Sequence, residues 1–258
     1  MQQIGWQVKQ RNYKRVARFC ALFALVASAA QAHAEAPQAE VQIGLCAQPD
    51  AAVAALSLRS RGAPLQVWLF DDADLSAFAR GLRFRLRVSG DQSELTLKVA
   101  NRSCDEAIPS HAGKCEYDVH GETLTGAVSL TQALGAVQTR DLLAGRLRLA
   151  DAMSPSQIAY LRDVVKVWPV SATVRPLGPV EVQRYRGKPF GEPYDVDIST
   201  LPGGARFIEI SRKVALADAQ RARAKLEADL ARAGVPACED QTAQAQNKLR
   251  SLLVTSPE

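Results

Sequence analysis

Polar and apolar residues alternate with a period of two in many segments of the chain. The clearest are AEVQIGL (39–45), LRFRLRV (82–88), SELTLKV (93–99), KCEYDV (114–119), VEVQRYR (180–186) and ARFIEISRK (205–213). This period is typical of strands with one wet face and one buried face. Central strands of parallel sheets are continuously apolar instead, and only the short segment LQVWLF (65–70) has that character. The pattern therefore predicts a mainly antiparallel sheet.

Between these predicted strands, apolar residues recur with the spacing of a helix. We predict helices at 50–61 with Asp50 as N-cap, at 154–167 with Ser154 as N-cap, and at 216–233, and two more within 130–149 and 241–253. Pro155 suits the first turn of the second helix, and Gly234 suits the end of the third. Strands and helices without a βαβ rhythm predict an α+β domain.

The N-terminus has the order of a secretory signal. Residues 1–34 contain five basic residues and no acidic one, then an apolar run from Phe19 to Ala30 and small residues at Ala32 and Ala34. The apolar run is shorter than the roughly 20 residues that span a membrane, so we expect cleavage after Ala32 or Ala34 and no stable membrane anchor afterwards. We therefore predict a signal peptide at 1–34, a short linker at 35–39, a single domain at 40–258, and a periplasmic or secreted location.

Cleavage would also remove the net charge. Five of the 32 basic residues and none of the 27 acidic residues lie in 1–34, which leaves 27 of each. A neutral domain gives no support for binding nucleic acid, so we expect no nucleic-acid partner.

Four cysteines would remain, and an even number in an oxidising compartment predicts two disulfides. Cys104 and Cys115 flank a loop rich in Pro, Ser and Gly, so we predict Cys104–Cys115 and, with it, Cys46–Cys238, although three pairings are open. A zinc site formed by Cys104, His111, Cys115 and His120 is the alternative, but its spacing matches no usual ligand pattern.

The polar faces of the predicted strands are ionic. Arg83, Arg85 and Arg87 share one face, and aligned arginines repel one another unless anions or acidic neighbours compensate. If the sheet closes with its helices outside, these faces point into a lumen with basic and acidic walls. Such a lumen suits a polyphosphate, because Arg and Lys hold its oxygens while carboxylates hold a bridging divalent cation.

The order of these segments resembles the CYTH superfamily, the triphosphate tunnel proteins, which include inorganic triphosphatases, thiamine triphosphatases and class IV adenylate cyclases. The similar segments are LFDDADLSAFARGLRFRLR, LTLK, KCEYD, VEVQRYR, FIEISRK and QNKLR, between about Glu40 and Leu253. The resemblance implies a closed or nearly closed antiparallel tunnel of about eight strands with helices packed outside.

The resemblance also implies site residues. Those that match phosphate-binding positions are Arg85, Arg87, Lys98, Arg184, Lys248 and, in the basic and acidic strand, Lys114. Those that match ligands of Mg²⁺ or Mn²⁺ are Glu40, Glu116, Asp118 and Glu209. The implied partner is an anionic phosphorylated small molecule or polyphosphate.

Departures from the family pattern leave catalysis open. The family's first strand, Glu-x-Glu-x-Lys, is matched by EVQIGL, which keeps Glu40 but has Gln42 and Gly44 at the next two positions. Loss of an anionic ligand weakens a metal site that would polarise a phosphate. The sequence therefore allows an exported protein that binds, and if active hydrolyses, a triphosphate or polyphosphate. The alternative is a non-catalytic structural or interaction module whose tunnel is closed by internal salt bridges.

Other hydrolase motifs are missing from the sequence. It contains no Gly-x-Ser-x-Gly, no His-Glu-x-x-His and no Walker loop.

Overall fold

A computed structural model of the chain describes residues 37–104, 113–120 and 123–255. Its strands are β1 (Gln38–Leu45), β2 (Arg59–Ser60), β3 (Leu65–Asp71), β4 (Leu82–Ser89), β5 (Gln92–Ala100), β6 (Gly113–His120), β7 (Thr123–Leu134), β8 (Arg175–Gly187), β9 (Tyr194–Thr200) and β10 (Arg206–Ala215). Its helices are α1 (Pro49–Ala55), α2 (Ser76–Ala79), α3 (Ala136–Leu143), α4 (Leu149–Ala152), α5 (Pro155–Ala159), α6 (Ala219–Arg232) and α7 (Gln241–Thr255). The predicted signal peptide lies outside the described residues.

Nine of these strands close into a barrel. Their order is β8-β3-β4-β5-β7-β6-β1-β10-β9, and the pairing of β9 with β8 completes the ring. The two-residue strand β2 extends the edge of β8 outside the ring. The predicted α+β tunnel is confirmed, with nine described strands in the ring rather than about eight.

The barrel is mixed rather than strictly antiparallel. Strand β1 runs parallel to β6, with Glu40 opposite Asp118, and antiparallel to β10 on its other side. The period-two pattern missed this pairing because it reports only that each strand has one apolar face. A parallel pair in a barrel with a polar interior has the same alternation as an antiparallel pair.

Most apolar faces of the strands point outward and are covered by helices. On one side, the fully buried Val41, Ile43 and Ile210 pack in a cluster that includes Leu226 and Leu230 of α6. On the other side, a second cluster joins β4, β5 and β7 to α3, α4 and α5. Burial of each large apolar side chain is worth about 1.5–3 kcal/mol, so the helices stabilise the barrel from outside.

A helix is present in most of the predicted helical segments, but its ends differ from the predicted ones. Ser154 caps α5 as predicted and accepts a hydrogen bond from the backbone N–H of Gln157, and a π-helical turn (Tyr160–Val165) continues the helix. A 3-10 turn (Leu216–Asp218) precedes α6. The prediction of Asp50 as N-cap is wrong: α1 begins at Pro49, whose fixed φ suits the first helical turn. In the predicted helical segment 130–149, β7 continues to Leu134 before α3 begins.

Helix α7 lies across one end of the barrel. Leu252 is fully buried in a cluster with Leu177, near the start of β8, and Leu201, directly after β9. Phe207 near the start of β10 packs against the same cluster. Because these strand ends meet at a single end of the barrel, α7 closes that end. No helix in the described part of the chain is long and apolar enough to cross a membrane.

Both predicted disulfides are present, Cys104–Cys115 and Cys46–Cys238. Cys46 directly follows β1, and Cys238 lies between α6 and α7. Because a zinc ligand must be a free thiolate, these bonds exclude the alternative zinc site at Cys104 and Cys115. His111 of that alternative lies outside the described residues.

Candidate functional site

The inward-facing side chains of the barrel surround a cavity of about 490 Å³. Seven of the ten ionic residues that the sequence suggests for the site line this cavity: Arg85, Arg87, Lys98, Asp118, Arg184, Glu209 and Lys248. Arg83 and Asp197 line it as well. The lining therefore has six basic and three acidic side chains, a formal excess of three positive charges. The structure shows that these residues lie together, and their binding roles stay predictions.

The basic wall of the cavity is built on β4 and centred on Arg85. Burial, together with the neighbouring charge of Arg87, lowers the pKa of Arg85 to about 10. Its Nε is buried and has no hydrogen-bond partner among the described residues. Arg87 lies 3.9 Å from the carboxylate of Glu94, opposite it on β5. Arg85 is thus a half-buried cation that faces the cavity and whose buried Nε has unused donor capacity.

Arg83 is held by local contacts. Its Nη1 donates to the backbone carbonyl of Phe78 at 3.0 Å, and its guanidinium lies 3.4 Å from the centre of the Phe78 ring. The short helix α2 that carries Phe78 is fixed by the buried carboxylate of Asp71, which accepts hydrogen bonds from the backbone N–H groups of Ala77 and Phe78 at 2.9 Å. Asp71 therefore positions the residues that hold Arg83.

Lys98 and Asp118 form an ion pair inside the barrel. The Nζ of Lys98 lies 2.5 Å from Oδ2 of Asp118, which is 6% exposed. The other oxygen, Oδ1, is buried without a hydrogen-bond partner among the described residues. Within the described part of the chain, only one of the two carboxylate oxygens of Asp118 is thus paired, and Lys98 is its partner.

Lys114, Glu116 and Glu40 do not line the cavity, although the sequence places them in the site. Although burial favours the neutral acid, hydrogen bonds and charges from Lys213 and Lys114 hold the pKa of Glu116 below its ordinary value. Glu40 lies opposite Lys213 on β10. Lys114, Glu116 and Lys213 form a mutually neutralising ionic cluster outside the cavity lining.

The acidic wall consists of Glu209 on β10 and Asp197 opposite it on β9. Burial raises the pKa of both carboxyl groups above their ordinary values, and the like charges of Glu40 and Asp197 raise the pKa of Glu209 further. Asp197 lies 3.8 Å from Nε of Arg184. Glu209 makes no hydrogen bond or ion pair with the described residues; the surface that it exposes faces the cavity.

Asp197 is the functional candidate that the sequence analysis missed. Tyr194–Thr200 alternates in the same way as the other strands, with Asp195, Asp197 and Ser199 on one face. This alternation in the sequence could have identified Asp197, because it places Asp197 on the polar face of a strand.

Lys248 enters the cavity from α7. Its Nζ donates to Oγ of Ser199 at 2.8 Å. Burial lowers its pKa, while the carboxylates of Glu209 and Asp197 raise it. The helix that closes the barrel therefore contributes a cation to the charged interior.

Two neighbouring strands supply an apolar part of the cavity wall. Leu65, Val67 and Leu69 of β3 and Val180 and Val182 of β8 line it. Apart from Lys248 of α7, the charged groups are thus gathered on the walls formed by β4, β5, β6, β9 and β10, with Arg184 of β8 at the border.

Comparison with known proteins identifies the fold. No family model matches the sequence, and no curated protein does. Among solved structures, the Hippeastrum protein HpAC1, described as an adenylyl cyclase with a dominant triphosphatase activity, superposes with a TM-score of 0.55 at 15% identity, over 83% of this chain and 96% of that one. A Bacillus halodurans protein described as an adenylate cyclase gives 0.53 at 13% identity, over 81% and 97%. The chain has the CYTH fold.

On this CYTH fold, the four suggested metal ligands do not converge. Glu116 is neutralised by two lysines, and Asp118 is bound by Lys98. Within the described ranges, no group of three or more His, Cys, Asp or Glu residues could hold a metal ion. The adjacent carboxylates of Glu209 and Asp197 nevertheless face the cavity. Mg²⁺ usually uses one or two carboxylates together with waters and phosphate oxygens, so this pair fits a cation that a phosphate ligand helps to bind.

Proposed function

We propose that this protein binds a triphosphate or polyphosphate in the cavity of its barrel. Arg85 carries the proposal, because its desolvated guanidinium has a buried Nε without a partner among the described residues. A buried unsatisfied donor costs about 1–3 kcal/mol, and a phosphate oxygen would satisfy it with a charge-assisted hydrogen bond. The formal excess of three positive charges in the cavity supports an anionic ligand over a neutral one.

Size and fold agree with this proposal. The cavity of about 490 Å³ is within the roughly 300–1,000 Å³ typical of small-molecule sites. HpAC1, which shares the fold, is described as having a dominant triphosphatase activity. A phosphorylated small molecule is therefore the ligand class that charge, volume and fold favour together.

The alternative, a module whose tunnel is closed by its own salt bridges, accounts for only part of the interior. Lys98 pairs with Asp118, and Arg184 lies near Asp197. These pairs leave the cavity open, however, and they leave Arg85 and Glu209 without ion-pair partners among the described residues. The open cavity, together with Arg85 and Glu209, therefore supports a binding site more than a closed tunnel.

Calorimetric titration with tripolyphosphate tests the proposal. We expect binding by the folded protein, and at least tenfold weaker binding by Arg85→Ala, since a charge-assisted hydrogen bond is worth about 1.5–3 kcal/mol. Arg140→Ala is the matched control, because Arg140 lies on α3 with 66% of its side chain exposed. No heat with the wild-type protein, with or without Mg²⁺, would instead support the structural module.

Hydrolysis is a second candidate, carried by Glu209 and Asp197. A divalent cation held by these carboxylates would supply charge stabilisation at a bound phosphate, while Arg85 and Lys248 bind and orient its oxygens. We expect phosphate release that requires Mg²⁺ or Mn²⁺ and is lost in Glu209→Gln, while Glu209→Gln still binds tripolyphosphate. Release that persists without added metal in the presence of chelator would contradict this assignment.

Export is also part of the proposal. The cationic start, short apolar run and small residues of 1–34 support cleavage after Ala32 or Ala34 and a periplasmic or secreted product. N-terminal sequencing of the protein from cell fractions tests this directly, and an intact N-terminus on cytoplasmic protein would contradict it.

A further inference from the structure

The segment that leads into α7 is fastened to the wall of the barrel. Cys238, three residues before α7 begins, is bonded to Cys46 at the end of β1. The backbone N–H of Cys238 donates to the carbonyl of Gly44, and that of Cys46 donates to the carbonyl of Pro236, both at 2.9 Å. A disulfide and two backbone hydrogen bonds thus hold the base of α7 at the rim of the barrel.

This attachment lies directly beside the cavity. Gly44 lines the cavity and is opposite Glu209 in the pairing of β1 with β10. The disulfide therefore joins α7 to the same part of the wall that carries the acidic residues.

Lys248 is the charged residue that α7 carries from its attached N-terminal end into the cavity. It lies seven residues after the start of α7, about 10 Å along the helix at 1.5 Å per residue. There it reaches Ser199, and Leu252 one turn later is buried at the end of the barrel. Because a helix transmits position along its axis, fixing its base restricts where Lys248 can lie.

We infer that the Cys46–Cys238 disulfide is a positioning element for Lys248, and that it sets the affinity of the cavity for anions by holding α7 in place. The inference rests on the proposed function, since it assigns Lys248 to ligand binding. Cys46 and Cys238 contact no ligand in this scheme and act only through α7.

The test compares two variants of the same protein, each of which lacks one of the two disulfides. Cys46→Ser/Cys238→Ser removes the bond at α7, and Cys104→Ser/Cys115→Ser removes the bond between the ends of the β5–β6 connection. We expect the first to weaken tripolyphosphate binding about tenfold and the second to change it by less than about twofold, because only the first bond adjoins α7. Both variants are checked for folding by circular dichroism and by urea unfolding.

A double-mutant cycle separates positioning from general stabilisation. Lys248→Ala should weaken binding about tenfold in the wild-type background and by less than about twofold in Cys46→Ser/Cys238→Ser, because Lys248 is already displaced there. Equal effects in the two backgrounds, or unchanged affinity in the folded Cys46→Ser/Cys238→Ser variant, would overturn the inference.

Hydrogen exchange supplies a readout that needs no ligand. The amides of α7 should exchange faster in Cys46→Ser/Cys238→Ser than in the wild type, while those of α6 stay protected. If the wild-type protein binds no tripolyphosphate, the proposed function fails; unchanged exchange in α7 would then refute the positioning role separately.

Discussion

Lys98 and Asp118 face each other across strand β7, with 2.5 Å between Nζ and Oδ2. Lys98 is opposite Ser129, and Asp118 is opposite Thr125 on the other edge of the same strand. The two residues lie on the strands that flank β7, and their side chains meet across that strand inside the barrel. The pair also shows how the interior compensates part of its charge before any ligand binds.

Breaking this pair should destabilise the protein. Lys98→Ala leaves the nearly buried carboxylate of Asp118 without its partner, which we expect to cost about 2–4 kcal/mol in the free energy of unfolding. Lys98→Ala/Asp118→Asn should recover part of that loss, because no charge then remains unpaired. Urea unfolding of the two variants measures the difference, and a Lys98→Ala variant as stable as the wild type would contradict the pairing.

Asp71 should matter for stability through α2. It is 4% exposed and accepts backbone hydrogen bonds from Asp72, Ala77 and Phe78. Asp71→Ala leaves these N–H groups unsatisfied, so we expect a loss of about 1–3 kcal/mol. Asp71→Asn keeps one acceptor oxygen and should cost less.

Asp74→Ala is the matched control for Asp71, since Asp74 is an exposed acid in the same loop. Thermal or urea unfolding should show no more than about 0.5 kcal/mol of change for it. Similar losses for Asp71→Ala and Asp74→Ala would contradict the assignment of the cap to Asp71.

The local pattern of the sequence predicts much of the interior. Because side chains alternate across a strand, a period of two places Arg85, Lys98 and Glu209 on polar faces, and helices with apolar stripes then cover the other faces. The predicted inward direction of these side chains agrees with the cavity lining. The even number of cysteines and the loop between Cys104 and Cys115 likewise predicted both disulfides.

Other features depend on how strands are staggered around the barrel. Lys114, Glu116 and Asp118 share one face of β6, but among these three only Asp118 lines the cavity. The level of each residue along the barrel axis follows from the tilt and register of all nine strands, which no single segment encodes. For the same reason, the parallel pairing of β1 with β6 could not be read from either strand.

The raised pKa of Glu209 predicts a dependence of stability on pH. Burial raises the pKa in the folded state, so the folded protein binds the proton more tightly than the unfolded chain does. The resulting stabilisation is fully present below the ordinary pKa of 4.5 and is lost as the pH rises through the folded-state value. The Glu209→Gln variant has no carboxyl group to ionise at this position. We therefore expect the variant to be more stable than the wild type at pH 7 and no more stable than the wild type at pH 4.

The same substitution should change ligand binding in a way that depends on metal. Without metal, the Glu209 carboxylate repels an anion in the cavity, so Glu209→Gln should bind tripolyphosphate more tightly than the wild type. With Mg²⁺, the wild type should gain affinity and Glu209→Gln should gain much less, because the cation loses a ligand. Glu181→Gln is the control, since Glu181 is exposed on β8 and does not line the cavity. Equal responses to Mg²⁺ in Glu209→Gln and Glu181→Gln would exclude Glu209 from cation binding.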